Sequence, residues 1–307
     1  MDIDEHNTEK PADPEIITVD LPHLRVSALA WGPADGPLAL CLHGYPDTAW
    51  TWRHLGPALA DQGFRVIAPF SRGYAPTEIP ADGNYHLGAL MFDAIALHRH
   101  LGGGSDAVLV GHDWGGFTAI GLAAHPDSPF TKVAALGAPV LHGFRNRFSP
   151  RMIRYLPSQA RKSWYVLYQQ LPGLPEHTLD RVVPQLWRDW CPPGFDATED
   201  VERLRAALPD LAHRRAALSY YRFQFQPRRQ PAHYRALHSS WRTQPVRIPI
   251  LLLHGEIDGG LDARLAAFSA GRLPDGSRHE IISDAGHFMH LDRPEEVNQL
   301  IIRYLTE

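Results

Sequence analysis

Asp113 is an acid whose surroundings could make it a nucleophile. It lies in AVLVGHDWGG, Ala107 to Gly116, where an apolar run leads into Gly111-His112-Asp113-Trp114-Gly115 and then an amphipathic run. The spacing G-x-nucleophile-x-G at a strand-to-helix turn has a steric basis. A strained backbone at the central residue needs close approach of its neighbours, and Gly111 and Gly115 remove the Cβ atoms that would clash. The side chain then stands at a helix N-terminus, where the dipole favours negative charge. The residue is Asp, and the chain has no G-x-S-x-G; Ser71, Ser105 and Ser283 lack the paired glycines. A serine oxygen suits acyl transfer, whereas a carboxylate is charged near neutral pH without a base. It can displace a leaving group from a tetrahedral carbon and form an alkyl-enzyme ester, which water then hydrolyses.

The second step needs a base for water and an acid that orients the base. His287, in DAGHFMH, follows the last strand signal behind a glycine that permits a tight turn. Asp258, in LLLHGEIDGG just past another strand signal, is the acid expected to reach its imidazole, with Glu256 as the fallback. Asp284 is nearer in sequence and reads as a cap of its own loop. The ester also needs donors for its oxyanion. The backbone N–H of Trp114 is one. The loop His43-Gly44-Tyr45-Pro46 supplies the other from Tyr45, stiffened by a proline that has no N–H of its own. Trp114, His43 and Pro46 are expected to line the substrate pocket.

The elements that must hold these residues alternate in kind. Short apolar runs occur at Ile16–Val19, Leu24–Ala30, Leu38–Leu42, Arg65–Pro69, Ala107–Val110, Val133–Leu136, Ile248–Leu253 and Glu280–Ile282. Helical patterns lie at Tyr85–Leu101, Trp114–Ala124, Leu261–Ala270 and Pro294–Leu305. Such alternation predicts an α/β fold with a mostly parallel sheet, its first two strands forming an antiparallel edge hairpin. From Leu141 to Ser240 the strand signal stops. Helical pieces there are broken by prolines, Pro157, Pro175 and Pro184 among them, and are rich in aromatics. This predicts a helical lid over the strand ends, where open sheets bind ligands. The expected organisation is a mobile tail over 1–14, a core over 15–140, the lid over 141–240 and the rest of the core over 241–307.

Together these residues resemble the α/β-hydrolase superfamily and, within it, the aspartate-nucleophile epoxide hydrolases. CLHGYPDTAWTWRHL is similar to the family's HGxP loop, SRGYAPT to its R-G-Y-x-x-[ST] segment, GHDWGG to its aspartate elbow and DAGHFMH to its histidine loop. The resemblance covers nearly all of the chain after the tail. It implies an α/β-hydrolase fold, with a mostly parallel central sheet, helices on both faces and an inserted helical lid. It also implies two lid tyrosines that hydrogen-bond an epoxide oxygen. ALSYYRFQF carries this over to Tyr221 and SWYVLYQQLPG to Tyr165, with Tyr220 and Tyr168 as the neighbours open to confusion. Ser219 and Tyr220 depart from the Asn and Trp frequent in the family, and RGYAPT lacks the usual glycine after its tyrosine. The chemistry asks for phenols independently: a ring-opened alkoxide is a poor leaving group in an apolar pocket and gains from a donated hydrogen bond or proton. The expected activity is hydrolysis of an apolar epoxide to a vicinal diol through an aspartyl ester. The rivals are a haloalkane dehalogenase with the same triad and a non-catalytic ligand-binding protein of this fold.

Composition narrows the partners. Thirty Lys and Arg against 34 Asp and Glu give a net charge of −4, which argues against a nucleic-acid binder. The one basic cluster, Arg222 to Arg235, reads as a solvated face or loop. Cys41 and Cys191 make neither a disulfide framework nor a CxxC ligand pair. No apolar run approaches a membrane span, and the acidic, polar start does not resemble a secretory signal. The expectation is a cytoplasmic enzyme acting on a small-molecule epoxide and water. No cofactor or metal is expected, and oligomeric state is left open, a homodimer included.

Overall fold

The computed structural model describes residues 13–140, 153–225 and 230–307. The expected start of the lid, and all of the expected tail but its last two residues, lie outside these. Eight strands form one sheet: β1 (Glu15–Leu21), β2 (Leu24–Trp31), β3 (Leu38–Leu42), β4 (Arg65–Pro69), β5 (Val108–His112), β6 (Lys132–Leu136), β7 (Ile250–Gly255) and β8 (Arg278–Ile282). Their order is β1-β2-β4-β3-β5-β6-β7-β8. β1 and β2 pair antiparallel as an edge hairpin, β2 meets β4 antiparallel, and every later pairing is parallel. β3, β5 and β7 are buried along their whole length. Such strands need helices on both faces, and two apolar clusters, one on each side of the sheet, supply the cover.

The chain leaves β3 for β4 on one side and returns to β5 on the other. The crevice between β3 and β5 is therefore a topological switch point, where open sheets bind ligands. Their register pairs Leu42 with Gly111, so the loops after both strands open at the same level.

The helices are α1 (Leu55–Ala60), α2 (Leu87–His100), α3 (Trp114–Ala124), α4 (Leu156–Lys162), α5 (Trp164–Tyr168), α6 (Leu174–Trp190), α7 (Thr198–Ala207), α8 (Leu211–Phe225), α9 (Ala232–Thr243), α10 (Ala263–Ala266), α11 (Met289–Asp292) and α12 (Pro294–Thr306). α4 to α9 all lie between β6 and β7, as the missing strand signal predicts. The prolines act differently from expectation. Pro157 and Pro175 open helices in the first turn, where a missing N–H costs nothing. Pro184 sits inside α6, whose 17 residues continue past it. The last inserted helix, α9, packs against α2 and α3, so the chain has rejoined the core before residue 240. The helix expected over Leu261–Ala270 is a single α-turn followed by the 3-10 stretch Ala267–Arg272.

Arg222 is not solvated. It is buried in α8, donates to both oxygens of Glu176 at 2.7 and 3.1 Å, and donates to the carbonyls of Gln169 and Leu171 at 2.8 Å. No helix among the described residues is long and apolar enough to cross a membrane.

Candidate active site

The elbow forms for the reason its sequence suggests. Asp113 has φ +51°, a left-handed conformation rare for a residue with a Cβ. A Cβ on Gly111 would lie 2.2 Å from the Gly115 carbonyl oxygen, and one on Gly115 would lie 2.1 Å from that of Leu42. Only hydrogens fit at those positions. The turn lifts Asp113 out of the end of β5 and starts α3 at Trp114.

The two carboxylate oxygens of Asp113 meet different partners. Oδ1 accepts the Tyr45 N–H at 2.8 Å, and the Trp114 N–H also donates to the carboxylate. Oδ2 lies 3.8 Å from His287 Nε2, too far for a hydrogen bond. Burial raises the Asp113 pKa to about 6, against the lowering pull of His287 and the two amides.

His287 Nδ1 is 2.8 Å from Asp258 Oδ2. A carboxylate can only accept, so Nδ1 carries a proton, and in the neutral ring Nε2 turns its lone pair toward Asp113. Burial favours the neutral ring, but the Asp258 charge and hydrogen bond outweigh it and leave the His287 pKa raised. For Asp258, burial opposes ionisation, and His287 with His254 holds the acid well below the carboxylate range. Its other oxygen accepts the N–H groups of Gly260 and Leu261 at 2.7 and 2.8 Å. The fallback acid has other work: Glu256 accepts from the Asp284 N–H at 3.2 Å.

Tyr165 and Tyr221 face this group from α5 and α8. Their rings cross at 5.5 Å, and Tyr221 also stands edge-on to Tyr45 and Trp114, both at 5.2 Å. The Tyr221 hydroxyl is buried with no partner at hydrogen-bond distance. Burial first, and the nearby Asp113 charge as well, raise both phenol pKa values, so both keep their protons. The neighbouring tyrosines are committed elsewhere. Tyr220 donates to the Arg72 carbonyl at 2.9 Å, and the Tyr168 and Thr178 hydroxyls bond at 2.6 Å.

Asp113, Trp114, Tyr165 and Tyr221 line one cavity of about 660 Å³. Phe117, Val166, Phe225 and Trp241 extend its apolar wall, and Gln159, Ser163, Gln224 and Arg242 add polar groups. His43 and Pro46 do not line it, which corrects the sequence expectation. The His43 ring turns back into the protein: Nδ1–H donates to the Gly44 carbonyl at 2.8 Å and Nε2 accepts the Ser71 N–H at 2.9 Å. Burial takes its pKa to about 4. The Pro46 carbonyl accepts the Trp187 indole N–H at 3.0 Å. Both residues hold the loop that presents the Tyr45 amide.

Trp190 is a contributor the sequence did not single out. Its carbonyl accepts the His287 N–H at 2.7 Å and its ring stands 4.9 Å from the imidazole. In the sequence it was one aromatic among many in the inserted segment.

Known proteins resemble this chain over most of its length. The profile of the alpha/beta hydrolase fold family matches residues 37–294. The AB hydrolase superfamily protein YfhM of Bacillus subtilis (strain 168) is 32% identical over 286 residues, covering 90% of this chain and 92% of the relative. Epoxide hydrolase 3 of Xenopus tropicalis is 32% identical over 289 residues, covering 92% of this chain and 75% of the relative. Among solved structures, epoxide hydrolase VrEH1 from Vigna radiata superposes with a TM-score of 0.76 at 23% identity, covering 96% of this chain and 98% of that one. At that identity the likeness speaks for the fold.

Proposed function

The chain belongs to the alpha/beta hydrolase fold family, within it to the epoxide hydrolase branch, and we propose that it hydrolyses an apolar epoxide to a vicinal diol through an ester on Asp113. The observation that carries this reading is the pair of protonated phenols, Tyr165 and Tyr221, facing the same cavity as a carboxylate nucleophile. The reaction runs in two halves. Oδ2 of Asp113 attacks a ring carbon from behind, and the C–O bond breaks toward the phenols. The oxygen takes a proton from one of them as the alkyl ester forms. Oδ1, already held by the Tyr45 amide, becomes the ester carbonyl oxygen.

His287 Nε2 then takes a proton from water as the water oxygen attacks the ester carbon. The Tyr45 and Trp114 amides hold the oxyanion, a device worth about 10²–10³ in rate per donor. Collapse releases the diol, whose departing oxygen takes the proton from His287. The second water proton restores the tyrosine through solvent.

One observation favours a second reading. The Trp114 indole N–H is buried without a partner beside Asp113, and an N–H there could stabilise a departing halide in a dehalogenase. A single experiment separates the two. Enzyme in excess over styrene oxide, in oxygen-18 water, yields a first diol carrying unlabelled oxygen from Asp113, with label appearing in the carboxylate. A fully labelled first diol removes the ester mechanism. Halide release from 1-chloroalkanes with no epoxide turnover moves the assignment to the dehalogenases.

A further inference from the structure

Behind His287, three buried side chains each keep one atom without a hydrogen-bond partner and bring a potential ligand atom within reach of the other two. Asp47 comes from the loop after β3, His112 from the end of β5 and His290 from α11, and their exposures are 2%, 0% and 1%. Asp47 Oδ2, His112 Nδ1 and His290 Nδ1 have no hydrogen-bond partner. One ligand atom from each residue lies within 4.8 Å of the others.

The opposite atom of each group is already committed. Asp47 Oδ1 accepts the Thr48 N–H at 2.7 Å. His112 Nε2 is 3.0 Å from the His287 carbonyl oxygen. A carbonyl only accepts, so Nε2 holds the proton and Nδ1 presents a lone pair. His290 Nε2 meets the Thr51 hydroxyl at 2.5 Å. A hydroxyl can accept from a ring N–H as well as donate to a ring nitrogen, and the tautomer that suits a cation is the one in which His290 Nε2–H donates to Thr51. In that tautomer His290 Nδ1, which has no hydrogen-bond partner, presents a second lone pair.

Three buried groups that can each offer an electron pair thus stand together. In the tautomer described, one water has only two hydrogens for three acceptors, and leaving a buried polar atom unsatisfied costs about 1–3 kcal/mol. A divalent cation satisfies all three at once. We propose that Asp47, His112 and His290 form a buried site for one first-row divalent cation of the zinc class. Two imidazoles and a carboxylate are a donor set zinc takes, at bonds of about 2.0–2.2 Å, with ligand atoms about 3–4 Å apart. Binding requires the ligand atoms, now within 4.8 Å of one another, to close to that spacing. The contacts to Thr48, Thr51 and the His287 carbonyl are the outer hydrogen bonds that orient such ligands. Arg53, a cation that acts on both Asp47 and His290, is paired with Asp200 at 2.6 and 3.1 Å.

None of the three residues lines the substrate cavity. The ion is a staple: it joins the β3 loop, the elbow and α11, and through His112 it fixes the main chain of His287. The inference rests on this geometry and not on the epoxide reading.

The full chain is produced in cultures supplemented with ZnCl₂ or CoCl₂, desalted and assayed for metal. Wild type retains about one ion per chain, the cobalt form shows visible ligand-field bands, and chelation lowers Tm. His290→Gln and Asp47→Asn, folded by circular dichroism, lose the bands and bind at least about tenfold less metal. Wild type free of metal from both cultures overturns the site without recourse to a variant, leaving a water there. Metal held equally by wild type and both variants also overturns it and places the ion on surface histidines.

Discussion

The division of labour between the two oxygens of Asp113 sets what each neighbouring residue can be tested for. In the proposed reaction Oδ2 attacks and Oδ1 sits in the oxyanion site, and the 3.8 Å gap to His287 Nε2 supports an imidazole that acts on water rather than on the carboxylate. His287→Gln therefore blocks only the second half-reaction. Intact-protein mass spectrometry should show the ester accumulating on this variant, and a rapid multiple-turnover variant with no adduct would contradict the scheme. In the same scheme the phenols act in the first half. Tyr165→Phe and Tyr221→Phe should each lower the rate of ester formation by about 10–10², and the double variant by about 10²–10⁴, the range of general acid catalysis. If both single variants alkylate at the wild-type rate in stopped-flow fluorescence, the phenols only pack. Elbow spacing and chain order single out Asp113, His287 and Asp258 in the sequence, and the structure brings the three side chains together. Tyr165 and Tyr221 were legible only through family resemblance, because spacing does not distinguish them from Tyr168 and Tyr220. His112 and His290 were not legible as a pair. They come from distant parts of the chain, and what brings them together is the pairing of β5 into the sheet and the return of α11 beneath it.

At the scale of an element, the elbow is the most demanding piece of backbone. Its tolerance is set by the 2.1 Å that would separate a Cβ at Gly115 from the Leu42 carbonyl oxygen, which belongs to a buried strand and cannot swing away. Gly115→Ala should cost about 3 kcal/mol, the upper end of overpacking, and should lower the urea midpoint with unchanged slope. A midpoint equal to wild type would mean that β3 and α3 can separate at no cost. Strands were read well because residues buried on both faces leave continuous apolar runs. The inserted helices were read less well because proline has two meanings. Pro157 and Pro175 mark helix starts, while Pro184 sits inside α6, where sequence alone predicts a break. Arg222 shows the same limit: its burial depends on Glu176, 46 residues away, a partner no local pattern reveals.

Across the whole molecule, the inserted helices and the sheet share one apolar core. The cluster that contains Cys41, Val66 and Val110 from the sheet also contains Leu186, Trp187, Trp190, Leu218 and Tyr221 from the insertion. Trp187 is its hinge pin. Its indole lies flat on Phe288, next to His287, with ring centroids 3.7 Å apart, and its N–H holds the Pro46 carbonyl beside the Tyr45 amide. The same helix gives the Trp190 carbonyl to the His287 N–H. An insertion that supports both the oxyanion loop and the histidine loop cannot melt while leaving the site intact. Thermal unfolding should therefore be a single transition by tryptophan fluorescence and by far-ultraviolet circular dichroism, with activity lost over the same interval. Trp187→Ala removes a side chain that is 1% exposed and should cost about 3–5 kcal/mol. The two optical transitions should shift together. If fluorescence instead reports an early melting of the insertion while the sheet persists, the shared core is not cohesive, and the insertion is a separable lid whose contacts to His287 form only after the core has folded.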